Sequence, residues 1–255
     1  MRWFKADLHI HTILSACAEL TMGPKDIVRT ALERGLDVIA ITDHNSMENA
    51  AAVIGAARET ALFVIPGMEV YTREEAHMIC LFEKLADALA FQEVIYDHLP
   101  QGEYDGDIFG MQYICDADEN IVGESKRFLA FPVDLHVHQV AGFVVDAGGI
   151  IYPAHIDRKS NSLLHSLGFI PNNLPLSAVE IVRPYDEAIQ QMRFLLKSPY
   201  SILRSSDAHD IRQLGEKYTF LHMESLNFSE LKMAIEQRDG RRTALSIEET
   251  CVNSH

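Results

Sequence analysis

Apolar and polar residues alternate most clearly at the start of the chain, over residues 4–12. Alternation with a period of two is typical of a β-strand that buries one face. In this register His9 and His11 lie on the same face, so both imidazoles can reach one ion. The pattern therefore predicts a first strand from Lys5 to Thr12 (KADLHIHT) that carries part of a metal site. The alternative is a pair of ordinary surface histidines.

The rest of the chain alternates between strand-like and helix-like segments. The runs at residues 36–42 and 61–70 are almost continuously apolar, which is typical of strands in a parallel sheet that helices cover. This βαβαβ rhythm and the length of 255 residues favour an α/β fold of the barrel type. Further strands are predicted at residues 77–82, 111–116, 149–154, 178–182, 200–204 and 218–222, and helices at 24–34, 47–60, 83–99, 124–149, 186–197 and 228–238.

The middle of the chain interrupts this rhythm. Residues 100–110 (PQGEYDGDIFG) are rich in turn-forming residues, and residues 124–149 look mostly helical with a break at Pro132. No linker or internal repeat separates this stretch from the remainder. We therefore predict one domain over residues 1–255, with an elaborated connection over residues 100–149.

Composition narrows the choice of partners and compartment. Hydrophobic residues make up 47% of the chain, which is enough for a large core, and the net charge is -15. A surface this acidic should repel the backbone of long nucleic acid, which is a poor expected partner. There is no targeting leader and no apolar run long enough to span a bilayer, so we expect a cytoplasmic protein without membrane contacts. The cysteines show no paired spacing and are expected to be reduced thiols: Cys17, Cys80, Cys115 and Cys251.

Residues that commonly bind metals follow the ends of several predicted strands. In a parallel barrel the carboxyl ends of all strands meet at one face, so residues far apart in the sequence converge there. His77 begins its strand instead, and it joins the others only if residues 71–76 form a hairpin turn. The candidates at strand ends are His44 (TDHN), Glu69 (GMEV), His155 (PAHID), and Asp207 with His209 (SDAH).

Taken together, the segments DLHIHT, TDHN, GMEV, PAHID and SDAH, with His77 among them, resemble the PHP family, named for polymerase and histidinol phosphatase domains. The resemblance covers nearly the whole chain and implies a distorted (β/α)7 barrel of TIM-like architecture. It also implies two or three divalent ions (Zn, Mn or Fe) that activate water to hydrolyse a phosphate ester. Carried over residue by residue, it assigns His9, His11 and Asp207 to one ion, Glu69 to a bridge, His77 and His155 to a second ion, and His44 and His209 to a third.

One position departs from the family pattern. Members commonly read H-x-H-T-x-x-S-D-G, in which the Asp is a metal ligand, whereas this chain has Ser15, Ala16 and Cys17 in that place. Ala16 cannot coordinate an ion. Cys17 or Glu19 could replace the missing ligand, and a thiolate would favour Zn or Fe over Mn. The alternative is a third position that is weak or empty, and the remaining ligands still suffice for two ions.

Other residues near these motifs could serve the reaction. Asp43 could orient a ligand or accept a proton, or it could only cap the following helix. Arg158 and Arg183 follow strands at the same predicted face and are candidates for binding the phosphate of the substrate. A second H-x-H, formed by His136 and His138, lies in a helical stretch where this spacing points the rings about 200° apart. We therefore do not expect that pair to share an ion.

These features predict a metal-dependent phosphoesterase, either a phosphatase or a phosphodiesterase, that acts on a small phosphorylated molecule. A nucleotide, a sugar phosphate or an amino-alcohol phosphate would fit. One alternative is an amidohydrolase, which also begins with H-x-H but usually adds a carboxylated Lys, where this chain has Glu69. The other is a non-catalytic module that binds metal or a phosphorylated ligand. The identity of the substrate, the metal and the oligomeric state do not follow from the sequence.

Overall fold

The computed structural model describes residues 1–192 and 200–246, which form a mixed α/β fold. The strands are β1 Arg2–Ile10, β2 Val38–Ile41, β3 Phe63–Tyr71, β4 His77–Leu81, β5 Tyr113–Cys115, β6 Ile121–Glu124, β7 Ile150–Pro153, β8 Ala178–Glu180, β9 Ser201–Leu203, β10 Thr219–Met223 and β11 Arg242–Ala244. The helices are α1 Pro24–Glu33, α2 Ala50–Ala56, α3 Leu85–Asp97, α4 Gly106–Phe109, α5 Val137–Asp146, α6 Leu163–Leu167, α7 Tyr185–Gln191 and α8 Phe228–Ile235.

Seven of the described strands form one sheet in the order β11-β10-β1-β2-β3-β4-β7. The central strands β1, β2 and β3 run parallel, as the apolar pattern predicts. The pairs β3–β4, β4–β7 and β1–β10 are antiparallel, so the expectation of a parallel sheet is wrong outside the centre. A separate parallel pair, β8 and β9, contacts β7 on one side and β11 on the other. The fold is thus a curled half-barrel, and the (β/α)7 count stays a prediction.

The reversal between β3 and β4 follows from the length of their connection. A parallel pair needs a crossover of a dozen or more residues, whereas residues 72–76 leave room only for a hairpin. The N–H of Thr72 donates to the carbonyl of Ala76 at 2.9 Å, and Tyr71 pairs with His77 across the turn. The hairpin returns His77 to the end of the sheet where β3 terminates.

The sheet buries apolar residues on both of its faces. On β2, Ile39 packs in one cluster with residues of α1 and α2, whereas Val38 packs in another with residues of the other strands. The hydroxyl of Tyr152 on β7 donates to the carbonyl of Leu8 on β1 at 3.3 Å. Since β2, β3 and β4 lie between these two strands in the sheet, the contact shows that the sheet curls around the second cluster.

The predicted helix over residues 124–149 is wrong in its first half. The segment begins at the end of β6, and the helix starts only at Val137. The side-chain amide of Asn45 donates to the carbonyls of Leu129 and Phe131, both at 2.8 Å. These bonds satisfy backbone groups that a helix would otherwise pair, so the segment is held as an ordered loop.

Other predictions are confirmed with shorter boundaries or fall outside the described residues. Helix α2 is shorter than the predicted span 47–60, and the predicted helix over 186–197 begins as α7. Residues 193–199 and Cys251 lie outside the described residues. Within the described ranges no helix is long and apolar enough to cross a bilayer. The free cysteines there are Cys17, Cys80 and Cys115.

Candidate metal centre

Glu69, near the end of β3, lies at the centre of a cluster of imidazoles. Its side chain is buried, with 1% of its surface exposed. The structure brings to this carboxylate five histidines from four separate segments of the chain. Oε1 lies 2.8 Å from His77 Nδ1, 3.1 Å from His155 Nε2 and 3.2 Å from His9 Nε2, and Oε2 lies 2.9 Å from His44 Nδ1 and 3.4 Å from His11 Nε2.

A second carboxylate, Asp207, approaches the same histidines from the loop that follows β9. Its Oδ1 lies 3.2 Å from Nε2 of both His9 and His11. Its Oδ2 forms an ion pair with Arg158 at 2.6 Å. Its backbone carbonyl accepts a hydrogen bond from His209 Nδ1 at 2.9 Å. All of the ligands predicted from the motifs therefore lie in one cluster.

Two of these residues adopt backbone conformations that are rare outside glycine. The φ angles of His155 and Asp207 are 31° and 53°, in the left-handed region. The loop of Asp207 is held by Asp7, whose carboxylate accepts from the N–H of Ser206 at 2.9 Å and of Gly215 at 2.8 Å. Strained conformations persist only where the surroundings fix them, and they often occur at functional sites.

The hydrogen bonds of Ser15 determine which nitrogen of His11 faces the cluster. Ser15 Oγ donates its single hydrogen to Asp43 Oδ1 at 2.7 Å, so it accepts from His11 Nδ1–H at 3.0 Å. The Nε2 of His11 therefore faces the two carboxylates, where it can offer its lone pair to a metal ion. Asp43 also accepts from the N–H and hydroxyl of Thr12, whereas the cap of α2 is Asn49. Asp43 is thus placed to orient a ligand through Ser15, and not to cap the helix.

Glu180 belongs to the cluster although the sequence analysis missed it. It is the last residue of β8 and is buried. Its Oε1 accepts from His9 Nδ1 at 3.0 Å and from the backbone N–H of His155 at 3.2 Å. A signal was present in the sequence, because Glu180 lies within the predicted strand at 178–182 (AVEIV) and near the end where the other ligands gather.

The donor atoms fit a metal site. Because Glu180 and Ser15 accept hydrogen bonds from the Nδ1–H groups, the Nε2 atoms of His9 and His11 face each other, 3.2 Å apart. Two nitrogen lone pairs at this distance repel each other unless a proton or a metal cation lies between them. In the described part of the chain, His155 Nδ1 is also buried without a hydrogen-bond partner. Imidazole and carboxylate donors suit Zn, Mn and Fe.

Three sets of ligand atoms lie close enough to share an ion, with all atoms of a set within 4.8 Å of one another. The first contains both carboxylates, the second is centred on Glu69 and the third holds imidazoles alone. Their members are His9, His11, Glu69 and Asp207; His44, Glu69 and His77; and His11, His44 and His209.

The charges of the cluster favour a cation at the same place. Burial opposes charge on His11, yet its hydrogen bonds to Asp207 and Glu69 raise its pKa to about 9. Burial and His11 likewise oppose charge on His44, but Glu69 and the Cys17 thiol raise its pKa to about 9. The surrounding imidazoles hold the pKa of both Glu69 and Asp207 well below the usual range despite burial. The carboxylates therefore attract positive charge, either protons or metal ions, to the same spot.

Two other histidines have lowered pKa values. Burial lowers the pKa of His77 to about 4 and that of His209 to about 3. For His209, the neighbouring His11 is the next largest cause. These rings are therefore neutral near pH 7, which is the form in which imidazole binds a metal.

The predicted third position contains three imidazoles and no carboxylate. Ala16 offers no ligand atom there, as expected. Cys17 is exposed and contacts His44, but it belongs to none of the sets of atoms close enough to share an ion. Glu19 is also exposed and reaches this region only through its N–H, which donates to the carbonyl of His209 at 2.7 Å. Neither residue belongs to a set of atoms close enough to share an ion, so their role as replacements for the missing Asp stays a prediction.

The two arginines chosen as phosphate ligands differ in their positions. The side chain of Arg158 is 41% exposed beside Asp207, so it faces both the cluster and solvent. Arg183 donates its backbone N–H to Asp157 Oδ2 at 2.8 Å. Within the described residues, its side chain makes no hydrogen bond or ion pair with the cluster.

The second H-x-H pair lies away from the cluster. His136 Nδ1 contacts Glu74 Oε1 at 2.9 Å, whereas His138 Nε2 contacts Asn173 Oδ1 at 2.9 Å. The two rings have different partners, in agreement with the expectation that they do not share an ion.

Comparison with known proteins adds two relatives and a family match. The family model of the PHP domain matches residues 7–119. The uncharacterized protein YqxK of Bacillus subtilis is 24% identical over 274 residues, which cover 95% of this chain and 64% of YqxK. The uncharacterized protein MJ1587 of Methanocaldococcus jannaschii is 32% identical over 108 residues, which cover 38% of this chain and 63% of MJ1587.

A solved structure shares the fold over most of the chain. The lesion-specific endonuclease PfuEndoQ from Pyrococcus furiosus matches with a TM-score of 0.70 at 17% identity, covering 95% of this chain and 58% of PfuEndoQ. At this identity the likeness shows the fold alone. The chain spans less than two thirds of the length of each of these three relatives.

Proposed function

Residues 7–119 belong to the PHP domain family, as the motifs predict, and from this premise we propose that the chain hydrolyses phosphate esters with the help of divalent metal ions. The observation that carries the proposal is the convergence of imidazoles on the carboxylates of Glu69 and Asp207 in a buried space, where the Nε2 atoms of His9 and His11 lie 3.2 Å apart. The predicted distorted (β/α)7 barrel is part of the same proposal.

The ligand assignment is the one that the family resemblance implies. The sets of neighbouring atoms agree with it for the first ion, but the second set contains His44, and not His155, beside Glu69 and His77. One ion would be held by His9, His11 and Asp207 and a second by His77 and His155, with Glu69 between the two. This agrees with the contacts of Glu69 Oε1 to His77 and His155. A third ion, if present, would be held by imidazoles alone, because Ala16 replaces the usual carboxylate. We therefore expect two tightly bound ions and a weaker third.

The proposed chemistry needs no nucleophilic side chain. Divalent ions in such a site supply Lewis acidity and lower the pKa of water. The exposed guanidinium of Arg158 is placed to bind the phosphoryl oxygens, since planar guanidinium groups match phosphate geometry. Its ion pair with Asp207 holds it at the edge of the cluster until substrate arrives.

We propose that the substrate is a small phosphorylated molecule. A cavity of about 560 Å³ is lined by residues 103–109, Met111 and Lys126, and a Cβ added at the intervening Gly110 would be 2.9 Å from the Ala16 carbonyl. Carboxylates on this cavity disfavour a polyphosphate backbone, whereas its aromatic rings suit the base or amino alcohol of a small ester. The carboxylates are those of Glu103, Asp105 and Asp107, and the rings are those of Tyr104 and Phe109.

Damaged DNA is a second candidate substrate. The observation that favours it is the shared fold with PfuEndoQ, which is a lesion-specific endonuclease, over 95% of this chain. The net charge of -15 is the observation against it, because a DNA backbone would be repelled unless bound ions offset part of that charge.

The experiment that tests the proposal measures metal content and hydrolysis together. Elemental analysis of the purified protein would be combined with assays of phosphate monoesters, diesters and a duplex oligonucleotide with an abasic site, each with added Mn²⁺ or Zn²⁺. His9→Ala should lose bound metal and hydrolysis. His138→Ala is the matched control, because His138 contacts only Asn173 outside the cluster, and it should retain both.

The other outcomes identify the alternatives. Hydrolysis of the oligonucleotide but of no small ester would select the DNA substrate. Bound metal without hydrolysis of any phosphate ester would contradict the proposal and support a non-catalytic module. Cleavage of amides or lactones without phosphatase activity would support the amidohydrolase.

A further inference from the structure

Glu180 contacts two predicted ligands that serve different ions. Both contacts are made by one oxygen, Oε1, to the ring of His9 and to the backbone of His155. His9 belongs to the set of atoms around Asp207, whereas His155 belongs to none of the sets and contacts the cluster through Glu69 Oε1, the oxygen that His9 Nε2 also contacts. Glu180 therefore links one residue assigned to each ion without contributing to any set of ligand atoms.

The contact with His9 fixes its tautomer. A carboxylate only accepts hydrogen bonds, so His9 must carry a hydrogen on Nδ1. Its Nε2 then points toward Glu69 and Asp207, at 3.2 Å from an oxygen of each, and is the nitrogen left to bind a metal ion. Carboxylate partners of this kind orient metal-binding histidines and raise their basicity.

The contact with His155 stabilises an unfavourable backbone. His155 has a φ of 31°, a conformation that residues with a Cβ adopt rarely and at a cost in free energy. Glu180 accepts a hydrogen bond from the backbone N–H of His155 itself. The other carboxylate oxygen, Oε2, is buried and has no partner among the described residues. The carboxylate is thus held in place by its two contacts with ligand residues.

We infer that Glu180 is a positioning residue that couples occupancy of the two metal positions by fixing the His9 tautomer and the His155 backbone. The inference rests on the proposed function for the identity of the ligands. Loss of Glu180 should weaken both ions together, because it releases one ligand of each. A residue that only packs between β7 and β8 would instead change stability without a selective change in metal binding.

The test titrates Mn²⁺ alone into the chelator-stripped protein by calorimetry. Glu180→Gln keeps an acceptor at Oε1 but removes the charge, and it should weaken Mn²⁺ binding by about tenfold; Glu180→Ala removes both contacts and should weaken it by about a hundredfold. The matched control is Glu230→Gln, which changes another buried carboxylate whose partners are Arg241 and the N–H of Glu224. Its Mn²⁺ affinity should equal that of the wild type.

Thermal melts and spectra make the outcome decisive. With chelator present, Glu180→Gln should melt near the wild-type temperature, whereas with Mn²⁺ it should gain less stability than the wild type. Ring ¹⁵N spectra of the Zn²⁺-loaded protein should show His9 protonated at Nδ1 in the wild type and a mixture of tautomers in Glu180→Ala. If Glu180→Ala does not fold, the titration and melts of Glu180→Gln decide the question.

The inference is overturned if Glu180→Gln binds two Mn²⁺ ions with wild-type affinity, or if Glu230→Gln loses affinity to the same extent. It also fails if only one of the two ions is weakened. These readouts do not depend on turnover. If the wild-type protein binds Mn²⁺ but hydrolyses no phosphate ester, the proposed function is contradicted. The effect of Glu180 on Mn²⁺ affinity can still be measured in that case.

Discussion

Replacing Ser15 with alanine should weaken metal binding without touching a metal ligand. The Ser15 hydroxyl is buried and contacts Asp43 Oδ1 at 2.7 Å, His11 Nδ1 at 3.0 Å and the N–H of His44 at 3.3 Å. Asp43 keeps two bonds to Thr12 after the substitution. The Nδ1 of His11 keeps none, so its ring is free to flip or change tautomer.

Two magnitudes follow from these contacts. A buried polar atom left without a partner costs about 1–3 kcal/mol, which is the expected loss in the free energy of unfolding. For a protein of this size that loss lowers the melting temperature by roughly 2–10 °C. Removing the partner that orients a metal-binding histidine should weaken Mn²⁺ affinity by about 10–100-fold.

Calorimetric titration with Mn²⁺ and melting with chelator present would measure the two quantities separately. Ser125→Ala is the matched control, because Ser125 is equally buried but its hydroxyl has no hydrogen-bond partner among the described residues. It should leave both quantities near the wild-type values. Wild-type Mn²⁺ affinity in Ser15→Ala would refute the reasoning, since the orientation of His11 would then not depend on Ser15.

Four further predictions test other parts of the structure. Arg158→Gln should raise the KM for phosphate esters roughly tenfold with a smaller effect on kcat, because one charge-assisted contact with the phosphate is lost. The control is Lys159→Gln, which changes an exposed neighbouring residue and should alter neither KM nor kcat. Gly67→Ala should lower the free energy of unfolding by about 1–3 kcal/mol, because its Cβ would lie 2.7 Å from the Leu81 side chain and 3.0 Å from a β4 carbonyl. An unchanged midpoint of denaturant unfolding would contradict this packing. Gly142→Ala, in α5 with nothing within 4 Å of the added Cβ, should instead stabilise by about 0.5–1 kcal/mol. Removing metal with a chelator should lower the melting temperature by roughly 5–10 °C if the ion was present at about 100 times its Kd, and added Mn²⁺ should restore it.

The strand pattern predicted the centre of the fold because the information there is local. Alternation or continuous apolar character marks β1, β2 and β3, and a parallel arrangement follows from the helices between them. The direction of β4 depended on whether residues 71–76 make a turn, which the sequence left open. The loop before α5 was predicted as part of a helix over residues 124–149 with a break at Pro132. Its conformation is set by hydrogen bonds from the side chain of Asn45, a residue far away in the sequence, so a local sequence pattern could not predict it.

In the candidate site, the sequence predicted the metal ligands but not the residues that orient them. The ligands could be named because they occupy motif positions at strand ends. Ser15 and Glu180 were missed as partners of His11 and His9, since their roles arise from contacts made in three dimensions. Glu180 and His9 are separated by 171 positions in the chain. The role of Asp43 was left between two alternatives, which its hydrogen bonds with Ser15 and Thr12 and the cap of α2 at Asn49 distinguish.

The β3–β4 hairpin has a consequence for the order of folding. Glu69 and His77 meet through a turn only a few residues long, so the loss of chain entropy on bringing them together is small. A hairpin of this kind forms within microseconds, long before contacts spanning most of the chain, such as that of His9 with Asp207, can be made. The core of one metal position can therefore assemble while the rest of the sheet is still forming. Metal supplied during refolding should then speed the late steps more than the first collapse.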